Sequence, residues 1–135
     1  MLRIKPFVMG HLVAALLVGA GAGAFLAAEA MLIGGLGLLA GAIVSSLVCQ
    51  WKPGVEAPGW QLWLVAVLAN PVFLAALVFM ALDWECVLGN RRGWGCLVAA
   101  MAIIAAGLCF LPPLGGLLWR SWKRYRARPR QVAPN

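Results

Sequence analysis

Apolar residues in this chain come in long unbroken runs, rather than at the 3.6-residue period of a surface helix or the two-residue period of a half-buried strand. Residues 7–28 hold no Asp, Glu, Lys or Arg, Glu29 interrupts, and residues 30–49 are again without charge. A helix crossing a hydrocarbon core of about 30 Å needs about 20 apolar residues. A stretch this long is therefore expected to fold as a helical hairpin about Glu29. A third run covers 60–82, between Lys52-Pro53-Gly54-Val55-Glu56-Ala57-Pro58-Gly59 and Asp83-Trp84-Glu85. The fourth begins at Trp94 or Gly95. It either stops at Leu111, where Pro112 and Pro113 withdraw two backbone donors, or continues bent to about Trp119. The pattern predicts an all-α polytopic membrane protein with four transmembrane helices in two helical hairpins, spanning 7–28, 30–49, 60–82 and 95–118. These form a transmembrane domain over 1–119, followed by a basic tail over 120–135.

Composition agrees. The chain is 64% hydrophobic and 11% charged, with a mean hydropathy of +0.92, where a soluble domain is about half apolar and a quarter charged. Its net charge of +7 acquires meaning when sorted by side. With four spans, Arg3, Lys5, Lys52, Arg120, Lys123, Arg124, Arg126, Arg128 and Arg130 share one side, nine of the 11 basic residues. Arg91 and Arg92 lie opposite, with Glu29, Asp83 and Glu85. Lys and Arg are retained on the cytoplasmic side of short loops, so both termini are expected in the cytoplasm. Insertion thus accounts for the basic balance without nucleic acid. The first run also reads as a secretory signal, with Ala22-Gly23-Ala24 or Ala28-Glu29-Ala30 as a cleavage site. Its length and its closure against a second apolar segment favour a retained span. Short tails and the lack of an N-x-S/T acceptor place the expectation in a bacterial cytoplasmic (inner) membrane.

In lipid, helices are held by close backbone approach and interhelical hydrogen bonds. The first span offers Ala15, Gly19, Gly23 and Ala27 at every fourth position, and the second offers Gly37, Gly41 and Ser45. These stripes are expected to face each other, or else to form a dimerisation face. The third and fourth spans are bulkier, with one small-residue step at Ala102 and Ala106. Pro71 cannot donate to the carbonyl of Val67, which predicts a kink. The neighbouring Asn70 amide needs a partner at mid-membrane, either a freed carbonyl or Ser45/Ser46. A more functional reading makes Asn70 a hinge or a substrate-lining amide.

Candidate chemistry is sparse. Cys86 and Cys96 flank a loop with a Gly89-Asn90 turn on the outer side, where oxidising conditions permit a disulfide. Such a bridge would present Arg91 and Arg92 at its tip. His11, Cys49 and Cys109 share only depth. With no C-x-x-C and no fourth ligand they are read as packing residues, and no metal is expected. One His, few acids and three serines (Ser45, Ser46, Ser121) supply no nucleophile with base and orienter, so neither an enzyme nor a cofactor is expected. The absence of a mid-membrane acid argues against a proton-coupled carrier. In the tail, Trp119, Trp122 and Tyr125 recur every third residue among Arg120, Lys123, Arg124 and Arg126. A helix there would lay aromatics among headgroups and cations on anionic lipid phosphates. It would serve as an anchor, or as a docking site for a partner or regulatory lipid.

Two functions fit. The first is a non-enzymatic accessory, assembly or immunity-type interaction protein, engaging a membrane-protein partner or its own copies through the outer loop and the basic inner tail. The alternative is a small homo-oligomeric channel or transporter with a path lined by Asn70, Ser45 and Ser46.

Overall fold

The computed structural model describes residues 4–25, 28–52, 54, 57–91 and 93–127, and the side chains of all of these but 23, 25 and 28–34. Every regular element among them is a helix: α1 (Pro6–Phe25), α2 (Ala28–Trp51), α3 (Gly59–Leu68), α4 (Pro71–Leu82), the single turn α5 (Trp84–Val87), a 3₁₀ turn (Trp94–Cys96), α6 (Leu97–Leu108) and α7 (Leu111–Arg126). Proline position explains much of this division. Pro6 and Pro71 each open a helix, where an N–H would have no partner and the fixed φ suits the turn, and α2 has none.

The third apolar run is broken, not merely kinked. A residue preceding proline is pushed out of the helical region, and Asn70 sits at φ −84°, ψ 113°. Its Oδ1 accepts the Val72 N–H at 3.0 Å, capping α4. The Val67 carbonyl, beyond the reach of Pro71, accepts the Asn70 N–H at 3.1 Å. The amide oxygen therefore serves a freed donor, rather than the freed carbonyl or Ser45/Ser46 pairing expected for this side chain. The axis turns by 64° between α3 and α4.

The fourth run behaves in the opposite way. Pro112 and Pro113 lie in the first turn of α7, and the Phe110 N–H reaches back to Gly107 at 3.2 Å, so the tightened turn carries the axis onward. From Trp94 to Arg126 the segment counts as one 33-residue apolar helix. At 1.5 Å per residue it is about 50 Å long. It runs through the boundary expected between 119 and 120, because nothing in Trp119-Arg120-Ser121-Trp122 stops a helix.

By length and hydropathy this is the one helix among the described residues able to cross a membrane on its own. The bent pair α3 and α4 makes a second if taken together, while Pro6–Ala22 and Gly35–Trp51 are shorter apolar helices. One of the four apolar runs thus gives a qualifying helix: Asn70-Pro71 splits the third, and the apolar helices of the first two fall short in length.

α1 lies along both α2 and α7, α4 lies along α6, and α3 reaches α2 and α7. Two apolar clusters result. One joins Phe7, Val8, Cys49, Leu62 and Ala66. The other joins Val67, Phe73, Ala76, Ala102, Ala106 and Cys109, with Phe110 stacked on Trp63 and edge-on to Phe73. The Ala102 and Ala106 step is where α6 meets this second cluster.

The small-residue stripes meet in a different register from the one expected. Gly19 faces Gly35 and Leu39, and a Cβ on Gly35 would stand 3.5 Å from the Gly19 carbonyl. Ala15 is buried. Gly37 has open space around it, and Gly41 lies against Asn70 and Val72. Residues four apart advance about 400°, so such a row drifts about 40° per step around the helix. The row 37, 41, 45 therefore reaches α1 only at Ser45, which bonds His11, while Gly35 and Leu39 meet Gly19. The surroundings of Gly23 and Ala27 lie outside the described residues.

Candidate functional site

Three places concentrate polar groups. The first is inside the bundle, where His11 of α1 and Ser45 of α2 are both essentially inaccessible. His11 Nε2 is 3.0 Å from Ser45 Oγ, and Ser45 Oγ donates to the Ala42 carbonyl at 3.1 Å. A hydroxyl has one proton. With that proton on Ala42, His11 donates from Nε2, leaving Nδ1 as a buried nitrogen without a partner. The pair superficially resembles a nucleophile with its base, but among the described residues no third group bonds Nδ1 to orient the ring. It reads as an interhelical hydrogen bond that joins α1 to α2. Asn70 is committed to its cap and Ser46 Oγ is buried without a partner. Ser45 faces α1 and Asn70 faces Gly41, and the cavities described below and beside them are lined by other residues. Among the described residues, no three His, Cys, Asp or Glu side chains gather as a metal site.

The second place is the end of the bundle where α1 starts and α7 finishes, called here the basic end. α1 and α7 meet there almost backbone to backbone. A Cβ on Gly116 would stand 2.8 Å from both the Phe7 carbonyl and its ring, one on Gly115 would collide with Ala14, and one on Gly10 would collide with Trp119. This approach carries the start of α1 against α7. The Lys5 N–H donates to Gln50 Oε1 at 3.1 Å, and its Nζ donates to the Cys49 carbonyl at 3.1 Å. A cation on the last turn of α2 suits both its orphan carbonyls and its dipole.

On α7, Arg120, Lys123, Arg124 and Ala127 recur at i, i+3, i+4 and i+7, one helical face. That face and Lys5 surround a cavity of about 280 Å³ floored by Phe7 and Leu62. Arg120 is 8% exposed, whereas Lys123, Arg124 and Arg126 are exposed. The tail's cations were expected outward on lipid phosphates. Arg120 instead turns inward, because its face of α7 is the one carried against α1 and α3. Trp119 packs on Trp122, and the Arg126 guanidinium lies 4.0 Å over the Trp122 ring, so aromatics and Arg126 occupy the other side.

The third place is the opposite end. Cys86 and Cys96 are disulfide-bonded with Cα atoms 5.4 Å apart, as expected. The loop between them turns on Gly89 (φ 75°) and Gly93 (φ 135°), conformations that favour glycine. Arg91 and Trp94 are exposed there, and Arg92 lies outside the described residues.

The chain matches no protein-family model, no curated protein and no solved structure. Its reading therefore rests on these three places. Sequence reasoning missed Lys5 as a clamp, and missed Phe7, Gly10, Gly115 and Gly116 as the α1–α7 contact. Two signals were available: Gly10 stands four residues before Ala14, and Gly115-Gly116 sits just inside a helix whose first turn holds two prolines.

Proposed function

We propose that this chain is a four-span protein of the bacterial inner membrane, with both ends in the cytoplasm, and that it works without catalysis. In this reading it is an accessory, assembly or immunity-type partner of another membrane protein. The observation that carries the reading is how the surface is divided. Leu16, Leu17, Leu47, Val48, Leu77, Val78, Ile103 and Ile104 face outward along the helices, an apolar surface far larger than a soluble monomer exposes. Polar groups able to engage a partner are concentrated at the two ends.

Helix lengths support four crossings. The 20 residues of α1 and 24 of α2 reach about 30 and 36 Å. The 10 and 12 residues of α3 and α4 joined at 64° still reach about 28 Å end to end, close to a hydrocarbon thickness. The disulfide supports the orientation, since it lies on the side expected to be oxidising. Cys49 and Cys109, both buried, are free. A channel path through Asn70, Ser45 and Ser46 has no support in the single chain, where these groups are buried and Ser45 and Asn70 bond within the bundle.

Photo-crosslinking groups placed at Asn90 and at Tyr125 in the intact protein test this. The expected result is a discrete adduct with another membrane protein from at least one position. Adducts only between copies of this chain, together with solute flux into vesicles containing the purified protein, would replace the proposal with the channel reading.

A further inference from the structure

We propose that the cavity between Lys5, Arg120, Lys123 and Arg124 binds the phosphate of an anionic phospholipid headgroup. The inference rests on the membrane reading above, but not on the identity of any protein partner. Like charges three and four residues apart on a helix repel. Here three of them share one face of α7, and Lys5 of the chain leading into α1 is fastened beside them by its bond to the Cys49 carbonyl. Among the described residues the lining holds these four cations and no carboxylate, and a concave positive surface concentrates anions more strongly than the same charges spread on a convex one.

Donor type and size both point to phosphate. A guanidinium offers paired, parallel N–H donors that match a phosphate's oxygens, and lysines add point charge. A volume of about 280 Å³ is the room of about nine waters of liquid. That suits a phosphate with its glycerol, and is too small for a whole two-chain lipid.

The floor distinguishes a lipid from a free anion. Beneath the cations lie Phe7 and Leu62, both members of the apolar cluster at this end. A small hydrated anion gains nothing from them, whereas the glycerol and upper acyl carbons of a lipid do. Trp119 and Trp122, the residue types of the headgroup zone, sit on the same helix turns as the cations. An occupying lipid would brace α1, α3 and α7 where no covalent link does.

The experiment uses the full chain purified in detergent and analysed by native mass spectrometry. Phosphatidylglycerol, phosphatidylcholine and sodium phosphate are titrated as separate arms. Phosphatidylglycerol is expected to bind at least about tenfold more tightly than phosphatidylcholine, the scale of a charge-assisted contact. Lys123→Gln, at an exposed position, is expected to weaken phosphatidylglycerol about tenfold. Arg126→Gln, on the Trp122 side, is expected to weaken it less than about threefold, as a screened surface charge does. Arg120→Gln is the stronger change, and Lys123→Gln keeps the test valid where that variant fails to fold.

Equal binding of the two lipids overturns the proposal. So does equal loss from Arg126→Gln and Lys123→Gln, which would mean diffuse attraction. Displacement of phosphatidylglycerol by an equal concentration of sodium phosphate would make this a free-anion site and also overturn it. Alkaline carbonate extraction of membranes separates the two readings. Protein that stays in the pellet yet shows no lipid preference defeats this inference alone, while protein released by the wash defeats the membrane reading with it.

Discussion

The two ends of the bundle are held together by different means. At the disulfide end, α4 and α6 are joined through α5, a glycine-turned loop and the Cys86–Cys96 bond, with little apolar burial around Trp84, Leu88 and Trp94. At the basic end there is no covalent link among the described residues. Closure there comes from α1 and α7 meeting at Gly10, Gly115 and Gly116 and from Lys5 on the last turn of α2. A short loop with little apolar burial can be stapled by a disulfide. Without such a bond, helices must approach closely enough for dispersion and backbone dipoles to suffice. The contrast makes one end sensitive to reductant and the other to single methyl groups.

The largest expected effect falls on the glycine contact. Gly116→Leu places carbon where the Phe7 carbonyl and ring stand 2.8 Å from a bare Cβ, and it should cost about 3 kcal/mol or more. Denaturant titration in mixed micelles would measure this. If the variant kept wild-type stability, packing at the basic end would not be what holds it. Next comes the disulfide. Reduction, or Cys86→Ser, frees a loop closed over a sequence separation of 10 and should cost about 2–3 kcal/mol. Protease protection of α1 and α7 should survive it, and its loss would show that the two ends are not independent.

Gly41→Leu drives a side chain into Asn70 and Val72, costing about 2 kcal/mol. Asn70→Ala, which removes only the α4 cap, should cost about 1 kcal/mol. Measuring both variants tells whether the middle of the bundle behaves as a third region. Smallest is Gly37→Ala, where a Cβ meets nothing within 4 Å. Its stability should move by less than about 0.5 kcal/mol in the same titration. A large loss there would restore the stripe in which Gly37 faces α1.

Much of this arrangement was legible beforehand, for reasons particular residues make plain. Long runs without charge announce helices, and two cysteines flanking a Gly89-Asn90 turn announce their own bridge. The basic and aromatic positions after Trp119 separate onto different helix faces by spacing alone. Which of those faces turns inward was not legible, because it depends on α1 docking against Gly115 and Gly116, a long-range contact that local spacing does not encode. Asn70 shows a subtler limit. The proline beside it foretold a disturbed helix, but a residue preceding proline can either bend the axis or restart it. The cap on Val72 decides for a restart. The stripe register failed for a geometric reason, since a four-residue spacing slowly winds around a helix with 3.6 residues per turn.

The pairing of α1 with α7 also fixes an order of events during synthesis. The first and the last of the described helices are mutual partners, so the bundle cannot complete its basic end until α7 has left the ribosome. Until then the Gly10 and Ala14 face of α1 has no protein against it. Contacts between distant parts of a chain are slow to form and leave intermediates exposed. The newborn α1–α2 pair must therefore wait with an open groove, and a chain cut short before Leu111 would keep that groove open for good.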